Sequence, residues 1–490
     1  MNTQSYAAIR DQETFEDAES AVDRITEIYA EGCALLRQHF ERFAAGEQDL
    51  DKVDACYPYL SIEVPSINDV PQVSRAYGSV SEPGLYGTTI TQPALFRSYF
   101  IEQIGMLIKN HGVPVRVGIS NRQIPLTFAM EQLTSDLDAE EVPRLADMFN
   151  LPDLTLIDDD IADGTWRAGE DEAKPLSLFP AERVDYSLSR LRHYSGTAPE
   201  HFQRFVLFTN YQRYVDEFVD YGRKEVTGGD TYRAFVEPGN SVMYNPRLTD
   251  QASTGEALHK LPQMPAYHLV MDGHMGITLV NIGVGPSNAK TITDHIAVLR
   301  PHCWLMIGHC GGLRRTQRLG DYVLAHAYAR LDQVLDHALP SAVPVPPIAE
   351  VQLALSAAVS KITGVEGSEL KDRLRTGTVV TTDDRDWELR YNELASFFNQ
   401  SRGIAVDMES ATIASNGFRF RVPYGTLLCV SDKPIHGEIK LPGMANAFYA
   451  ERVSQHLKIA IESVNTMRGG VVSRSLHSRK LRSFDEPAFR

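Results

Sequence analysis

The chain has 490 residues, 43% of them hydrophobic and 23% charged, which is typical of a globular protein with two or three domains. Its formal net charge of −16 excludes a general nucleic-acid binder, because such proteins need a basic surface to neutralise phosphates. No apolar run reaches a membrane span of about 18 residues, the N-terminus is unlike a signal peptide, and five scattered cysteines suit a reducing compartment, so we expect a cytoplasmic protein.

Residues 1–175 are expected to form an N-terminal α+β domain. Apolar residues recur at helical spacing over 13–46, which predicts a helix. Strand-like runs at 57–64 and 113–119 flank a second predicted helix over 95–111. The stretch Asp158–Glu172 holds seven acids and one arginine, which favours a solvated loop near the end of this domain.

Residues 176–235 are interpreted as a connector, in which 186–194 alternates like a strand and the aromatic-rich segment 201–221 predicts a helix. A catalytic domain is expected over 236–468, followed by a basic tail over 469–490. Within 236–468 the predicted strands and helices alternate, which indicates an α/β fold with a mainly parallel or mixed sheet covered by helices. The predicted strands are 241–244, 266–271, 277–282, 303–307, 376–381, 404–406 and 425–430, and the predicted helices are 287–299, 348–363, 388–400, 408–418 and 445–465.

Two carboxylates stand out because each follows a short apolar run. Glu409 lies in Val406-Asp-Met-Glu409, where a strand turns into a helix of small residues, and Asp432 ends the apolar run 426–431. In open α/β sheets, ligands bind outside the carboxyl ends of the strands. The two side chains are therefore placed to meet one substrate. The structural alternative is that Glu409 starts a helix and that Asp432 is a turn residue.

Two glycine-containing loops follow strand-like runs in the same domain. Gly283-Val-Gly285 precedes a predicted helix, and Gly308-His-Cys-Gly311 follows the apolar run 303–307. Glycine allows close approach of the backbone, and amides that begin a helix favour an anion, so both loops suit a phosphate. The alternative is a pair of tight turns without a ligand.

These motifs, taken in order over about 240–468, resemble the purine nucleoside phosphorylase and nucleosidase superfamily. The matching segments are Val280–Lys290, Trp304–Arg314, Val379–Trp387, the Met408-Glu409 and Ser431-Asp432 pairs, and the helix His456–Val464. The N-terminal half and the tail Leu476–Arg490 extend this similarity to the bacterial AMP nucleosidases along the whole chain. That resemblance implies hydrolysis of AMP to adenine and ribose 5-phosphate, a homohexamer, and a response to ATP and phosphate.

The resemblance also assigns roles within the site. Breaking an N-ribosidic bond builds positive charge on the sugar and negative charge on the departing base, so an acid and a carboxylate lower the barrier. Asp432, beside Ser431, is expected to protonate the purine, which requires burial or a nearby charge to raise its pKa. Glu409 is expected to stay ionised and to bind the ribose hydroxyls above Met408. Trp387 either stacks on the adenine or is an ordinary core residue.

The 5′-phosphate of the substrate and a phosphate that acts as nucleophile would need different groups. Phosphorylases of the superfamily carry an arginine two residues before Gly308 and a serine after it, whereas this chain has Met306 and His309, which favours water over phosphate as the nucleophile. Gly285, Gly308, His309 and Gly311 are expected to contact the substrate. Arginine matches phosphate bidentately. The candidates for the 5′-phosphate are Arg247, Arg314, Arg315, Lys290 and Lys440.

No cofactor is expected, because no His-x-x-x-His or similar spacing indicates a metal. MgATP is expected only as an allosteric activator, and the N-terminal domain is expected to carry this regulation. The alternative for this domain is that it contributes phosphate-binding groups to the active site, from Tyr86–Thr91 or Arg97. Two alternatives stay open at this point: a phosphorylase of unphosphorylated nucleosides, and a nucleotide-sensing protein with little turnover.

Overall fold

The computed structural model describes residues 9–47, 51–67, 77–129, 142–169, 172–256, 258–438, 446–469, 476, 481–483 and 485–490. The chain forms two compact units, one of Met1–Ser189 with Arg482–Arg490 and one of Arg190–Leu481. Among the described helices, none combines the length and the apolar character needed to cross a membrane.

The N-terminal unit is built on a five-stranded sheet with the order β1-β4-β2-β3-β5, in which all pairs except β3 with β5 are antiparallel. Its strands are β1 (Arg10–Phe15), β2 (Cys56–Val64), β3 (Gly84–Thr89), β4 (Val115–Gln123) and β5 (Lys174–Pro175). Its helices are α1 (Ala18–Ala44), α2 (Pro93–His111), α3 (Leu126–Ala129), α4 (Val142–Met148), α5 (Asp160–Asp163) and the first part of α6 (Ala181–Ser195).

The first predicted helix begins later than the periodicity indicates, because residues 10–15 pair with β4 as a strand. Asp17 then caps α1 by accepting a hydrogen bond from the amide of Ser20 at 2.8 Å. The acidic stretch is not simply a solvated loop. Asp159 is mostly buried and forms an ion pair with Arg183 at 2.9 Å, so part of this stretch is folded into the unit.

The end of the chain belongs to the core of the N-terminal unit, whereas a separate basic tail is expected from the sequence. Phe489 is 1% exposed, and its amide donates to the carbonyl of Leu176 at 2.8 Å. The amide of Arg490 donates to Gln103 Oε1 at 2.8 Å. Residues from both ends of the sequence therefore hold this unit together.

The second unit contains a ten-stranded mixed sheet with the order β14-β13-β12-β15-β11-β6-β10-β9-β7-β8. Its strands are β6 (Phe205–Thr209), β7 (Ala234–Glu237), β8 (Ser241–Tyr244), β9 (Ala266–Val270), β10 (Ile277–Asn281), β11 (Cys303–Gly312), β12 (Tyr322–Leu331), β13 (Leu374–Thr382), β14 (Gly403–Asp407) and β15 (Tyr424–Asp432). The helices that follow α6 are α7 (Gln212–Gly228), α8 (Pro286–Ile296), α9 (Ala349–Thr363), α10 (Gly367–Arg373), α11 (Tyr391–Gln400), α12 (Ser410–Arg419) and α13 (Asn446–Gly469).

Four neighbouring strands of this sheet, β15, β11, β6 and β10, run parallel, so their carboxyl ends share one edge. The strand β14 also pairs with β11 in the antiparallel sense, which closes β11, β15, β12, β13 and β14 into a ring. The α/β class with a mainly parallel or mixed sheet is confirmed by this arrangement.

The segment 176–235, interpreted from the sequence as a connector, contributes regular elements of both units. The strand predicted from the alternation over 186–194 is wrong, since these residues lie in α6. The helix predicted over 201–221 is wrong in its first half, because Phe205–Thr209 forms β6 between β10 and β11. All five residues of β6 are buried, which explains why an apolar run without alternation occurs there.

Candidate active site

The two carboxylates selected from the sequence flank the carboxyl end of β11. Gly311 pairs with Asp432 of β15 on one side and with Val406 of β14 on the other. Glu409 follows Val406 by three residues and precedes α12. The closure of the sheet by β14 therefore brings both carboxylates to the segment Gly308–Gly312.

Glu409 is 1% exposed, and both of its oxygens accept hydrogen bonds from other elements of the fold. Oε1 accepts from the backbone amide of Gly285 at 2.7 Å, and Oε2 accepts from Nδ2 of Asn210 at 2.9 Å. Gly285 has φ of 113°, a conformation that favours glycine, and it precedes the first residue of α8. The start of α8 thus directs an amide to a carboxylate of the protein itself.

Burial, together with the nearby carboxylate of Asp407, raises the pKa of Glu409 to about 8, although the donors Gly285 and Asn210 act in the opposite direction. The raised pKa favours the protonated form of Glu409 in the unliganded site, whereas the mechanism expected from the sequence needs the ionised form when substrate is bound. Hydrogen-bond donors from a ligand would favour the ionised form.

Asp407 fixes the junction between β14 and α12. Its Oδ1 accepts from the hydroxyl of Thr381 at 2.6 Å, and its Oδ2 accepts from the amide of Ser410 at 2.9 Å and from the Ser410 hydroxyl. The Thr381 hydroxyl accepts from the amide of Ala411 at 2.9 Å. These bonds satisfy amides at the start of α12 and thereby orient Glu409.

Asp432 ends β15, and its Oδ1 accepts a hydrogen bond from the Ser431 hydroxyl at 2.6 Å. That hydroxyl also lies 3.4 Å from the carbonyl of Cys310 on β11. Asp432 is half-buried rather than buried, so the full burial expected at this strand end is not found. Ser431 and Asp432 lie together beside Gly311, as the Ser-Asp motif predicts.

Trp387 lies near this segment but packs as a core residue. Its ring is 6% exposed and meets Phe398 edge-on at 5.3 Å, in a cluster with Leu313, Val380 and Val406. A Cβ built on Gly311 would lie 3.8 Å from Trp387 Cζ2. These contacts fit the structural alternative for Trp387. Met408 is half-buried between Asp407 and Glu409, which leaves part of its side chain accessible.

The second glycine loop is part of the end of β11. Gly308 is closely surrounded, since a Cβ there would lie 3.2 Å from Met306 Cε and 3.4 Å from Asn210 Oδ1. Met306 is fully buried inside the sheet. The His309 ring is 8% exposed and meets the Tyr211 ring edge-on at 4.6 Å. The loop therefore combines close backbone packing with an imidazole set against an aromatic ring.

The phosphate-binding candidates differ in their position. Arg247 follows β8, which runs antiparallel to β7. The register through β7 and β9 places the last residue of β8 level with the amino-terminal end of β10. Arg247 therefore lies at the opposite edge of the sheet from Glu409. Lys290 on α8 forms an ion pair with Asp294 at 2.6 Å. Arg314 is half-buried just beyond β11, and Arg315 is exposed beside it. Lys440 lies outside the described residues.

Sequence reasoning missed Asn210 and gave Asp407 and Thr381 no role. Asn210 follows β6, and because this segment was predicted to be helical, the end of the strand was not recognised. A run of four apolar residues that ends in two polar ones, Thr209 and Asn210, is the signal that could have found it. Among the described residues, no group of three or more His, Cys, Asp or Glu side chains is arranged to hold a metal ion.

Comparison with known proteins accounts for both units. Residues 20–173 match the family model "Bacterial AMP nucleoside phosphorylase N-terminus", and residues 247–464 match the model "Phosphorylase superfamily". AMP nucleosidases from Escherichia coli K12 and from Escherichia coli O157:H7 are each 50% identical over 476 residues, covering 96% of this chain and 98% of theirs. The chain belongs to the AMP nucleosidase family.

Membership of the AMP nucleosidase family confirms the resemblance drawn from the motifs and identifies the chain as an N-glycosyl hydrolase. The match over 247–464 confirms the nucleoside phosphorylase-like class of the second unit. The crystal structure of AMP nucleosidase from Bacteroides thetaiotaomicron is 27% identical, covers 58% of this chain and 97% of its own, and has a TM-score of 0.43.

Proposed function

We propose that this chain hydrolyses the N-glycosidic bond of AMP to give adenine and ribose 5-phosphate. The observation that carries the proposal is the placement of Glu409 and Asp432 on either side of the end of β11. The names of the 50% identical relatives support AMP as the substrate.

In this mechanism Asp432 donates a proton to the purine ring as the bond to ribose lengthens. Its half-buried carboxyl is accessible, and the Ser431 hydroxyl orients one of its oxygens. Glu409 accepts hydrogen bonds from the ribose hydroxyls and stabilises the positive charge that develops on the sugar. Substrate hydroxyls would favour its ionised form, against the effect of burial.

Water is proposed as the nucleophile. Met306 is fully buried where phosphorylases of the superfamily carry an arginine, so this position offers no cation to an attacking phosphate. Among the candidates in this chain for binding the 5′-phosphate, Arg314 has the best position, because it is half-buried just beyond the carboxyl end of β11. A metal is not needed for either step, since a carboxyl group and water supply the chemistry.

The proposal is tested by incubating the protein with AMP and with adenosine, each with and without inorganic phosphate. Ribose 5-phosphate from AMP in the absence of phosphate is the expected product. Ribose 1-phosphate formed only with phosphate would show a phosphorylase instead. Specific binding of AMP without turnover would indicate a nucleotide sensor.

Regulation by effectors is proposed for the N-terminal unit, with MgATP as activator and phosphate as inhibitor. A cavity of about 700 Å³ within this unit supports a binding role. Four carboxylates and two guanidinium groups are among the residues that line it, which suits a nucleotide complexed with magnesium better than a free one. They are Asp158, Asp160, Glu172, Glu182, Arg122 and Arg167.

Two further properties are proposed from family membership. The chain is expected to assemble as a homohexamer, which light scattering would test. A cytoplasmic location is supported by five cysteines that carry free thiols, as expected in a reducing compartment.

A further inference from the structure

The side chain of Asn210 is fixed where it meets Glu409. Asn210 follows β6, which pairs with β10 on one side and β11 on the other. The amide of Tyr211 donates to the Thr209 hydroxyl at 3.4 Å, and α7 begins at Gln212. A two-residue link between a central strand and a helix therefore holds this amide in place.

The contact is directional. Nδ2 donates to Glu409 Oε2 at 2.9 Å, whereas Oδ1 is buried beside Gly308 and has no hydrogen-bond partner among the described residues. Leaving a buried acceptor unpaired is costly, and such groups in native proteins call for an explanation. The orientation that is adopted presents an N–H group to Glu409, which suits a carboxylate.

The remaining capacity of Glu409 matches one particular ligand group. A carboxylate offers about four acceptor positions, two on each oxygen. Gly285 donates to Oε1 and Asn210 donates to Oε2, while the backbone amide of Met408 acts more weakly on the same carboxylate, so capacity for further donors remains. Two donors on adjacent atoms, as in the vicinal 2′ and 3′ hydroxyls of ribose, would use this capacity.

We propose that Asn210 is a positioning residue, which holds the Glu409 carboxylate in the orientation that binds both ribose hydroxyls. This inference rests on the proposed function, because it takes a ribosyl group as the ligand. The sequence assigns no role to Asn210, and its contact links β6 to the start of α12.

The ionisable groups around Glu409 define what a pH measurement reports. Asp407 acts on Glu409 directly, and it raises the Glu409 pKa, whereas the Asn210 amide and Gly285 lower it. Lys290 and Asp294 on α8 are paired with each other. Ionisable groups on neighbouring elements include His309 on β11, Tyr211 after β6, Asp432 and Lys433 at the end of β15, Asp332 against α12, and Arg419 on α12.

The test compares Asn210→Ala and Asn210→Asp with Asn416→Asp. Asn416 is a buried amide on α12 that bonds Thr293 and Asp294, so its variant controls for a structural defect near the site. Unfolding transitions first establish that each variant is folded. Then kcat/KM is measured for AMP and for 2′-deoxy-AMP across pH 5 to 10.

Both Asn210 variants are expected to lower kcat/KM for AMP by about 10–100-fold, because misplacing a substrate-binding group by about 1 Å can cost about 100-fold. The loss of kcat/KM should be smaller with 2′-deoxy-AMP. The acidic limb of the pH profile of kcat/KM should move to higher pH, and it should move further in Asn210→Asp than in Asn210→Ala. The Asn416 variant should keep the wild-type limb and the wild-type preference for AMP.

A double-mutant cycle separates action through Glu409 from other effects. In a Glu409→Gln background, Asn210→Ala should cause little further loss in kcat/KM. Folded Asn210 variants with an unchanged acidic limb and an unchanged AMP to 2′-deoxy-AMP ratio would overturn the inference. Failure of the wild type to cleave AMP would instead reject the proposed function, so the two failures are distinguishable.

Discussion

Glu409 is subject to opposing effects on its ionisation, and the balance between them is measurable. Burial and the neighbouring Asp407 raise its pKa, while donors on both carboxylate oxygens lower it, with a result of about 8. Between the ordinary value near 4.5 and this value, the folded protein binds more protons at Glu409 than the unfolded chain does. This group therefore contributes stability that is lost as pH rises through that window.

We predict that Glu409→Gln removes this dependence. The difference in unfolding free energy between wild type and variant should change with pH between about 4.5 and 8, by at most about 1.4 kcal/mol per pH unit, in the direction that favours the variant at high pH. Denaturant unfolding at a series of pH values measures it. Glu393→Gln, an exposed change on α11, is the control, and a flat difference for Glu409→Gln would show that its pKa is not raised.

Proton donation to the purine is proposed for Asp432, whose carboxyl is accessible and is oriented by Ser431. Asp432→Asn should leave AMP binding intact and lower turnover by about two or more orders of magnitude, the usual range for losing a general acid. Single-turnover measurements and equilibrium binding of AMP separate the two effects. Turnover near the wild-type rate in a folded variant would remove Asp432 from the mechanism.

Element packing explains why α12 holds Glu409 in place. Gly417 lies on the face of α12 that meets the sheet, and a Cβ there would overlap the Tyr424 ring and lie 2.9 Å from Trp304 Nε1. The absence of a side chain lets α12 lie close to β11 and β15. Because α12 starts directly after Glu409, its distance from the sheet sets the position of that carboxylate.

Gly417→Ala should therefore reduce both stability and activity. Overpacking costs about 1–3 kcal/mol, and the gain in helix propensity of up to about 1 kcal/mol offsets only part of it. Gly228→Ala, at the end of α7 where a Cβ has no neighbour within 4 Å, is the matched control and should be neutral or stabilising. If both variants behave alike in unfolding and kcat/KM, close packing of α12 is not what places Glu409.

The sequence predicted the elements that have clear periodicity or small-residue turns. The strands 277–282, 404–406 and 425–430 and the carboxylates that follow two of them could be found this way. β6 could not, because it has only five residues and is joined by a two-residue link to an aromatic-rich helix, so that the two together resemble one helix. Asn210 was lost with it, since its role depends on which strand precedes it.

Contacts between residues far apart in the sequence could not be predicted from local sequence patterns either. The approach of β14 to β11, which brings Glu409 to Gly308, follows from the closure of the sheet. Likewise, Arg247 suits phosphate by its chemistry, and only the antiparallel direction of β8 places it at the other edge.

At the scale of the whole molecule, the two ends of the chain lie in one unit. The last residues complete the core of the N-terminal unit, where the Phe489 ring meets the Tyr99 ring edge-on at 6.2 Å. A variant in these residues can therefore loosen this unit without changing any residue of the second one. This makes the proposed regulatory role testable in the full-length chain.

Phe489→Ala should destabilise the N-terminal unit by about 3–5 kcal/mol, because it removes a large buried side chain. Leu154→Ala, at a position 71% exposed in the same unit, is the control and should have little effect. Hydrogen exchange of amides in β2 and β4 reports the loosening, and AMP cleavage is measured with and without MgATP. If this unit carries regulation, the Phe489 variant should cleave AMP but lose its response to ATP, a coupling of about 1–3 kcal/mol in the wild type. A full response to ATP despite rapid exchange in β2 and β4 would show that regulation does not depend on this unit. If AMP cleavage is lost while adenosine cleavage is less affected, the unit would be assigned to phosphate binding instead.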